Sequence, residues 1–190
     1  NKNLNLGFDP KLHTENSLNR LFNNSLVKLK PINENLIDLI WSRKKNLNIK
    51  SFYLIKDADA GEKLENKLSN LCKQIKSSKA DYLFTTASEN IAWLLNIRGY
   101  DTDYSPLPNS HAFIDKNKKI LLFCDLKKIN KSLRLKLNKK IKIYDFNQIP
   151  SFISKLLNKK ILIDVLTCSI FFKTLIRKNN LVIEKQDPIY

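Results

Sequence analysis

Glycine is nearly missing from this chain of 190 residues: Gly7, Gly61 and Gly99 are the only three. So sparse a set excludes a glycine-rich loop that cradles phosphate on backbone N–H groups. Histidine is scarcer, with His13 and His111 alone. They sit on unrelated segments with no HExxH or HxxxH spacing, so a catalytic metal site would lack its usual ligands. Cys72, Cys124 and Cys168 are odd in number, far apart and without a CxxC pair. That pattern argues against a disulfide framework or a zinc knuckle and predicts free thiols in a cytosolic protein. The apolar runs, such as residues 161–165 and 169–172, are far shorter than the roughly 18 residues a membrane-spanning helix needs. An initiator methionine and a signal-peptide pattern are also lacking, so a fragment of a longer protein is expected.

What is present suffices for one core. Hydrophobic residues make up 43% of the chain, and charged residues are interspersed among them rather than segregated. The formal net charge is +16. Such a field attracts phosphate backbones and anionic lipid. However, lysine dominates over arginine, and asparagine and isoleucine are also in excess, a bias that A/T-rich codons produce without selection for nucleic acid. The basic runs at 43–45, 116–119 and 139–142 fall at apparent turns rather than along one helix face. We therefore expect neither a nucleic-acid nor a membrane partner.

Short β-branched or aromatic runs predict strands at 25–29, 51–55, 81–85, 111–114, 119–123, 141–144, 161–164 and 181–183. Leu64, Leu68, Leu71, Cys72 and Ile75 share one helical face, and Asp59 followed by Glu62 reads as a capping-box-like start. Further helices are predicted at 14–24, 33–41, 88–95, 150–157 and 167–178, with Asn33 and Ser88 as N-caps. The polar stretch at 115–119 reads as a hairpin loop, which makes at least one strand pair antiparallel. The expectation is an α/β fold with a mixed six- to eight-stranded sheet flanked by helices, without internal repeats. Asp57 with Asp59 and Asp101 with Asp103 read as caps and solvated turns rather than metal sites. In the helix over 88–95, Ile91, Leu94 and Leu95 form the apolar stripe and Trp93 packs at its edge. Gly99 is then expected to take a positive φ and turn the chain into a shaped loop.

Three stretches together carry a resemblance: PINENLIDLIW at 31–41, Ala60-Gly61 with Lys63 and Leu64 ahead of the long helix, and TASENIAWLLNIRGYD at 86–101 followed by Tyr104 and Pro106. In order and spacing they resemble three-domain Xaa-Pro aminopeptidases (aminopeptidases P). In these, an ENLVD-x-IW segment and a TALDEIAWLxNLRGxD signature mark the second creatinase/prolidase N-terminal-like domain. Pro108, Asn109 and His111 depart from the usual pattern.

The resemblance implies that residues 1–28 are the tail of, or link from, a preceding domain, that 29–190 form a creatinase N-terminal-like middle domain, and that the catalytic pita-bread domain is absent from this chain. It implies a non-catalytic domain of a cytoplasmic, metal-dependent hydrolase that removes the residue ahead of proline. The cofactor, two Mn²⁺ or another divalent metal, would belong to the absent domain, and this chain would hold none. Its partners would be its own catalytic domain and peptides with proline second, with homodimerisation of the full-length protein open. Arg98, Asp101 and Tyr104 are the expected substrate-access or interdomain contacts. Arg98 with Asp101 as a local ion pair is the alternative for those two residues. A stand-alone creatinase-like binding module is the alternative for the whole chain. If the basicity is compositional, the protein will not retain labelled DNA or RNA even at low salt, where phosphate-driven binding is strongest; retention that weakens as salt rises would reverse that reading.

Overall fold

The computed structural model describes residues 4–41, 50–137 and 141–189. The basic run at 43–45 and part of the run at 139–142 lie outside the described residues. The chain opens with β1 (Asn5–Phe8), α1 (Glu15–Phe22), β2 (Lys28–Pro31) and α2 (Leu36–Ile40). There follow β3 (Tyr53–Leu54), α3 (Asp57–Ala60), α4 (Leu64–Ser77), β4 (Tyr82–Thr85), α5 (Ser88–Leu95) and β5 (Ile97–Arg98). The remainder is β6 (Ser110–Asp115), β7 (Ile120–Cys124), α6 (Lys131–Lys136), β8 (Ile141–Asp145), α7 (Ile149–Lys155), β9 (Lys160–Ile163), α8 (Ile170–Arg177) and β10 (Leu181–Glu184).

Six strands form the central sheet in the order β10-β9-β4-β6-β7-β8. β4 with β6 and β6 with β7 are antiparallel, and the other three pairings are parallel, so the sheet is mixed as expected. The hairpin between β6 and β7 is closed by Asp115, whose carboxylate accepts from the N–H groups of Asn117 (2.7 Å) and Lys119 (2.8 Å). Side chains along these strands alternate between two cores. Leu83, Ile114, Leu122 and Leu162 enter the core with Leu68, Leu71 and Ile75 of α4 and Ile91 and Leu94 of α5. Phe84, Phe113, Phe123, Ile161 and Ile163 enter the other, with Ile153 of α7 and Ile176 of α8. Phe84 and Phe113 stack there with centroids 4.4 Å apart.

Several local expectations are corrected. The predicted strand at 25–29 is displaced, because Ser25 N–H and hydroxyl both bond to the Phe22 carbonyl and hold a turn, so pairing starts only at Lys28. Asn35, not Asn33, caps α2 by accepting from Ile37 N–H at 2.9 Å. Asp59 does not start the long helix: residues 57–60 form a separate short helix, ended by Gly61 at φ 77°, and α4 begins after Lys63 without a side-chain cap. Ser88 is the first helical residue of α5 behind Ala87, again without a side-chain cap.

An internal repeat that the sequence conceals is visible in the backbone. β1 and β9 start 155 positions apart (5 and 160), as do α1 and α8 (15 and 170), and each strand–helix pair leads to a parallel partner strand, β2 or β10. Asp9 and Asp164 occupy matching positions after the first strand, each accepting an N–H two residues on, from Lys11 and Leu166 at 2.8 Å. Thr14 and Ser169 then cap the two helices. The two units are fastened together. Ile170 N–H donates to His13 O and Phe171 N–H to Pro10 O, both at 2.9 Å. Lys173, only 4% exposed, is paired with both Glu15 and Glu184, and Arg177 reaches the same two carboxylates.

His111, a departure from the aminopeptidase pattern, lies on β6 with its ring against the edges of Phe84, Phe146 and Phe172. Burial lowers its pKa, against a smaller opposing effect of the Ser110 carbonyl at 2.8 Å from Nδ1. The folded chain thus binds this proton less readily than the unfolded chain, so the stability present above the ordinary value of 6.5 is lost as pH falls through and below it. Urea midpoints measured from pH 8 to pH 5 should decline for the native chain and decline less steeply for His111→Phe.

Candidate functional site

The signature segment forms one continuous piece of structure. Thr86 anchors its start by donating to Thr167 O at 2.9 Å. α5 then buries Ile91, Leu94 and Leu95, as its periodicity predicts. Trp93 is not a packing residue at the core edge. It is 43% exposed, and its ring carries the Lys67 ammonium 4.2 Å from the centroid.

The turn out of the helix is made by Asn96, at φ 53°, and not by Gly99, whose φ is not positive. Asparagine enters the left-handed region readily because its short polar side chain finds local partners. Gly99 is required for a different reason. A Cβ there would lie 2.7 Å from Pro108 Cα and 2.8 Å from Leu107 O, so the returning strand of the loop passes directly over it.

Residues 99–109 fold back on themselves. Gly99 N–H donates to Pro106 O (3.1 Å), Asp101 N–H to Leu107 O (3.4 Å), and Thr102 bridges Ser105. Tyr104 stands at the tip with φ 62° and a fully exposed side chain. At the base, Tyr100 packs on Tyr53 with centroids 5.3 Å apart, and Lys50 lies over the Tyr100 ring.

Asp101 and Tyr104 therefore lie on this loop and Arg98 on β5 at its base, and the three play separate parts. Arg98 Nη1 donates to Ala92 O and Ile97 O, both at 2.9 Å, and so caps the C-terminal end of α5, where the helix dipole favours a cation. Asp101 pairs with Lys128, not with Arg98, and accepts from Asn109 N–H at 2.7 Å. With a side chain only 7% exposed, it closes the loop from inside. Lys67 and Lys128 were missed by sequence reasoning, since each reaches the signature segment from another element, Lys67 at the end of α5 and Lys128 at Asp101. The faint signal for Lys67 was a lysine on the same face as Leu64, Leu68 and Leu71, where a hydrophobic residue would be expected.

Among the described residues no group of three or more His, Cys, Asp or Glu side chains could hold a metal ion. His13 faces Phe8 and His111 faces three phenylalanines, so the two imidazoles do not converge on a common point. A di-nuclear metal centre does not fit the described residues.

The architecture is a mixed six-stranded sheet buried on both faces, with α5 and the projecting loop following its central strand β4. The family described as Creatinase/Prolidase N-terminal domain matches residues 43–190, and the chain belongs to it. The Xaa-Pro aminopeptidase app-1 of Caenorhabditis elegans is 30% identical over 82% of this chain and 26% of its own length. A probable Xaa-Pro aminopeptidase P of Neurospora crassa is 33% identical over 56% of this chain and 16% of its own. The crystal structure of X-prolyl aminopeptidase from C. elegans, described as a cytosolic enzyme with a di-nuclear active site, matches with TM-score 0.84 and 25% identity over 100% of this chain and 32% of that one. The chain thus spans about a quarter or less of the length of these curated relatives.

Because Gly99 lies under the returning backbone, Gly99→Ala should cost about 1–3 kcal/mol in urea unfolding, as overpacking typically does. The same substitution at Gly61, which has open space around its Cβ position, acts only through its left-handed φ and leaves the 99–109 loop undisturbed.

Proposed function

We propose that this chain is the non-catalytic middle domain of a metal-dependent Xaa-Pro aminopeptidase and that Arg98 and the 99–109 loop help to shape substrate access. The observation that carries this reading is the match of the whole chain to about a third of the C. elegans X-prolyl aminopeptidase. The metal pair, with manganese as the expected ion, belongs in this reading to a separate catalytic domain, and the whole protein is cytoplasmic. Within the loop, Tyr104 is the contact residue, because it is fully exposed while Asp101 is committed to Lys128 and Asn109. Arg98 has one nitrogen engaged with the Ala92 carbonyl of α5 and the Ile97 carbonyl of β5 and remains partly exposed.

The N-terminal unit extends the proposal. Leu4, Leu12, Leu21, Leu26, Leu36 and Ile40 are each more than half exposed, an apolar concentration unlike the rest of the surface. In the C-terminal unit the strand matching β1 has a second neighbour, since β9 pairs in parallel with β4 as well as β10. We therefore assign residues 4–41 to the end of a preceding domain of the same topology, whose sheet continues past β1. In this reading the preceding domain extends through α2 instead of ending near residue 28, which the pairing of β2 with β1 supports.

Hydrolysis of an Xaa-Pro peptide with added Mn²⁺, comparing this chain with the longer protein, tests the reading. This chain alone should show no turnover, the longer protein should be active, and Tyr104→Ala in it should raise KM severalfold. Activity in this chain alone overturns the assignment. Inactivity of the longer protein leaves the stand-alone binding module as the better account.

A further inference from the structure

Lys67 is the least expected charge in the fold. It projects from α4, is 2% exposed, and its ammonium donates to Trp93 O and Asn96 Oδ1, each at 2.7 Å. Its direct partners are thus a helix carbonyl, an amide oxygen and an indole face rather than a carboxylate. Burying a cation in this way is unfavourable unless every proton is satisfied, and a leucine or methionine would fill the same space more cheaply. Burial accordingly lowers its pKa, with Glu62 opposing, Arg98 adding to the shift and Asp57 opposing.

The charge is informative because of what it fixes. Lysine can only donate, so Asn96 must turn its oxygen toward Lys67. Its Nδ2 then faces Asp57 Oδ1 (3.3 Å) and Glu62 O (3.1 Å), acceptors supplied by α3 and the turn that follows it. The amide is thereby locked in one orientation from both sides, at the residue whose left-handed backbone sets the direction of β5 and the 99–109 loop. Arg98 holds the next carbonyl position of the same helix end, Ala92 O.

We propose that Lys67 is a positioning residue: its buried ammonium, acting through Asn96, sets the exit of α5 and so the placement of the loop that carries Tyr104. It touches no substrate, and its effect on peptide recognition rests on the functional reading above.

Hydrogen exchange in the longer protein tests the positioning directly, using Lys67→Met, which removes the cation, and Asn96→Gly, which keeps the left-handed backbone but removes the relay. The loop amides of Gly99, Asp101 and Asn109 should exchange about tenfold faster in each variant, while amides of β6 and β7 keep their native protection. Unchanged loop exchange, or a uniform loss of protection across the sheet, overturns the proposal, the second by assigning Lys67 to global stability. If Lys67→Met does not fold, Asn96→Gly decides the matter by the same measurement. Peptide hydrolysis separates the two levels. A severalfold rise in KM at unchanged kcat supports both, whereas a loosened loop with unaltered KM upholds the positioning role and removes the loop from the substrate path.

Discussion

Burial of both faces of the central sheet is the constraint on which the other features depend. Each strand of the sheet's middle must offer apolar groups upward and downward in alternation, and Leu83 with Phe84, Ile114 with Phe113, and Leu122 with Phe123 do so. A one-residue slip in any pairing would exchange the two cores, driving stacked phenylalanines into the space packed by α4 and α5. That penalty fixes the register of the strands, and the register fixes where β4 ends and α5 begins. The loop after α5 inherits its position from this chain of dependence rather than from its own composition.

The end of α5 shows how a polar arrangement refines what the cores set approximately. Helix C-termini leave carbonyls without intrahelical partners, and here two cations and an asparagine meet that need. Lys67 arrives from α4 and Arg98 from the residues just beyond the helix. Asp101 performs the matching task at the far side of the loop, joining Lys128 to the Asn109 N–H. A loop secured at both ends can present an exposed tyrosine at its tip in a defined place, which is the property a contact surface requires.

The two matching βαβ units add a second level of organisation. Their junction is partly polar, with Lys173 and Arg177 of one helix sharing Glu15 and Glu184, and partly backbone, through the Ile170 and Phe171 N–H groups. The C-terminal unit completes its sheet against β4, whereas the N-terminal unit offers β1 and a broad apolar surface without such a neighbour among the described residues. Belonging to the Creatinase/Prolidase N-terminal domain family accounts for residues 43–190, and the repeat gives residues 4–41 a structural meaning of their own.

Much of this was determined by the sequence alone. Short β-branched or aromatic runs located the six strands of the sheet, and period-3.6 apolar spacing the helix over 88–95, because a strand buried on both faces and a helix with one buried face each impose a local demand on composition. The signature stretch carried the family for the same reason: its residues act as one contiguous segment. What only the tertiary structure decided was pairing between segments distant in the chain. Asp101 met Lys128 instead of Arg98, Asn96 rather than Gly99 took the left-handed turn, and Lys67 entered the core beneath Trp93. The repeat of β1-α1-β2 in β9-α8-β10 was hidden likewise, since matching positions such as Leu18 and Lys173 share a burial but not a chemistry. Side-chain partners are chosen by distance in space, and sequence spacing reports that distance only within a single element.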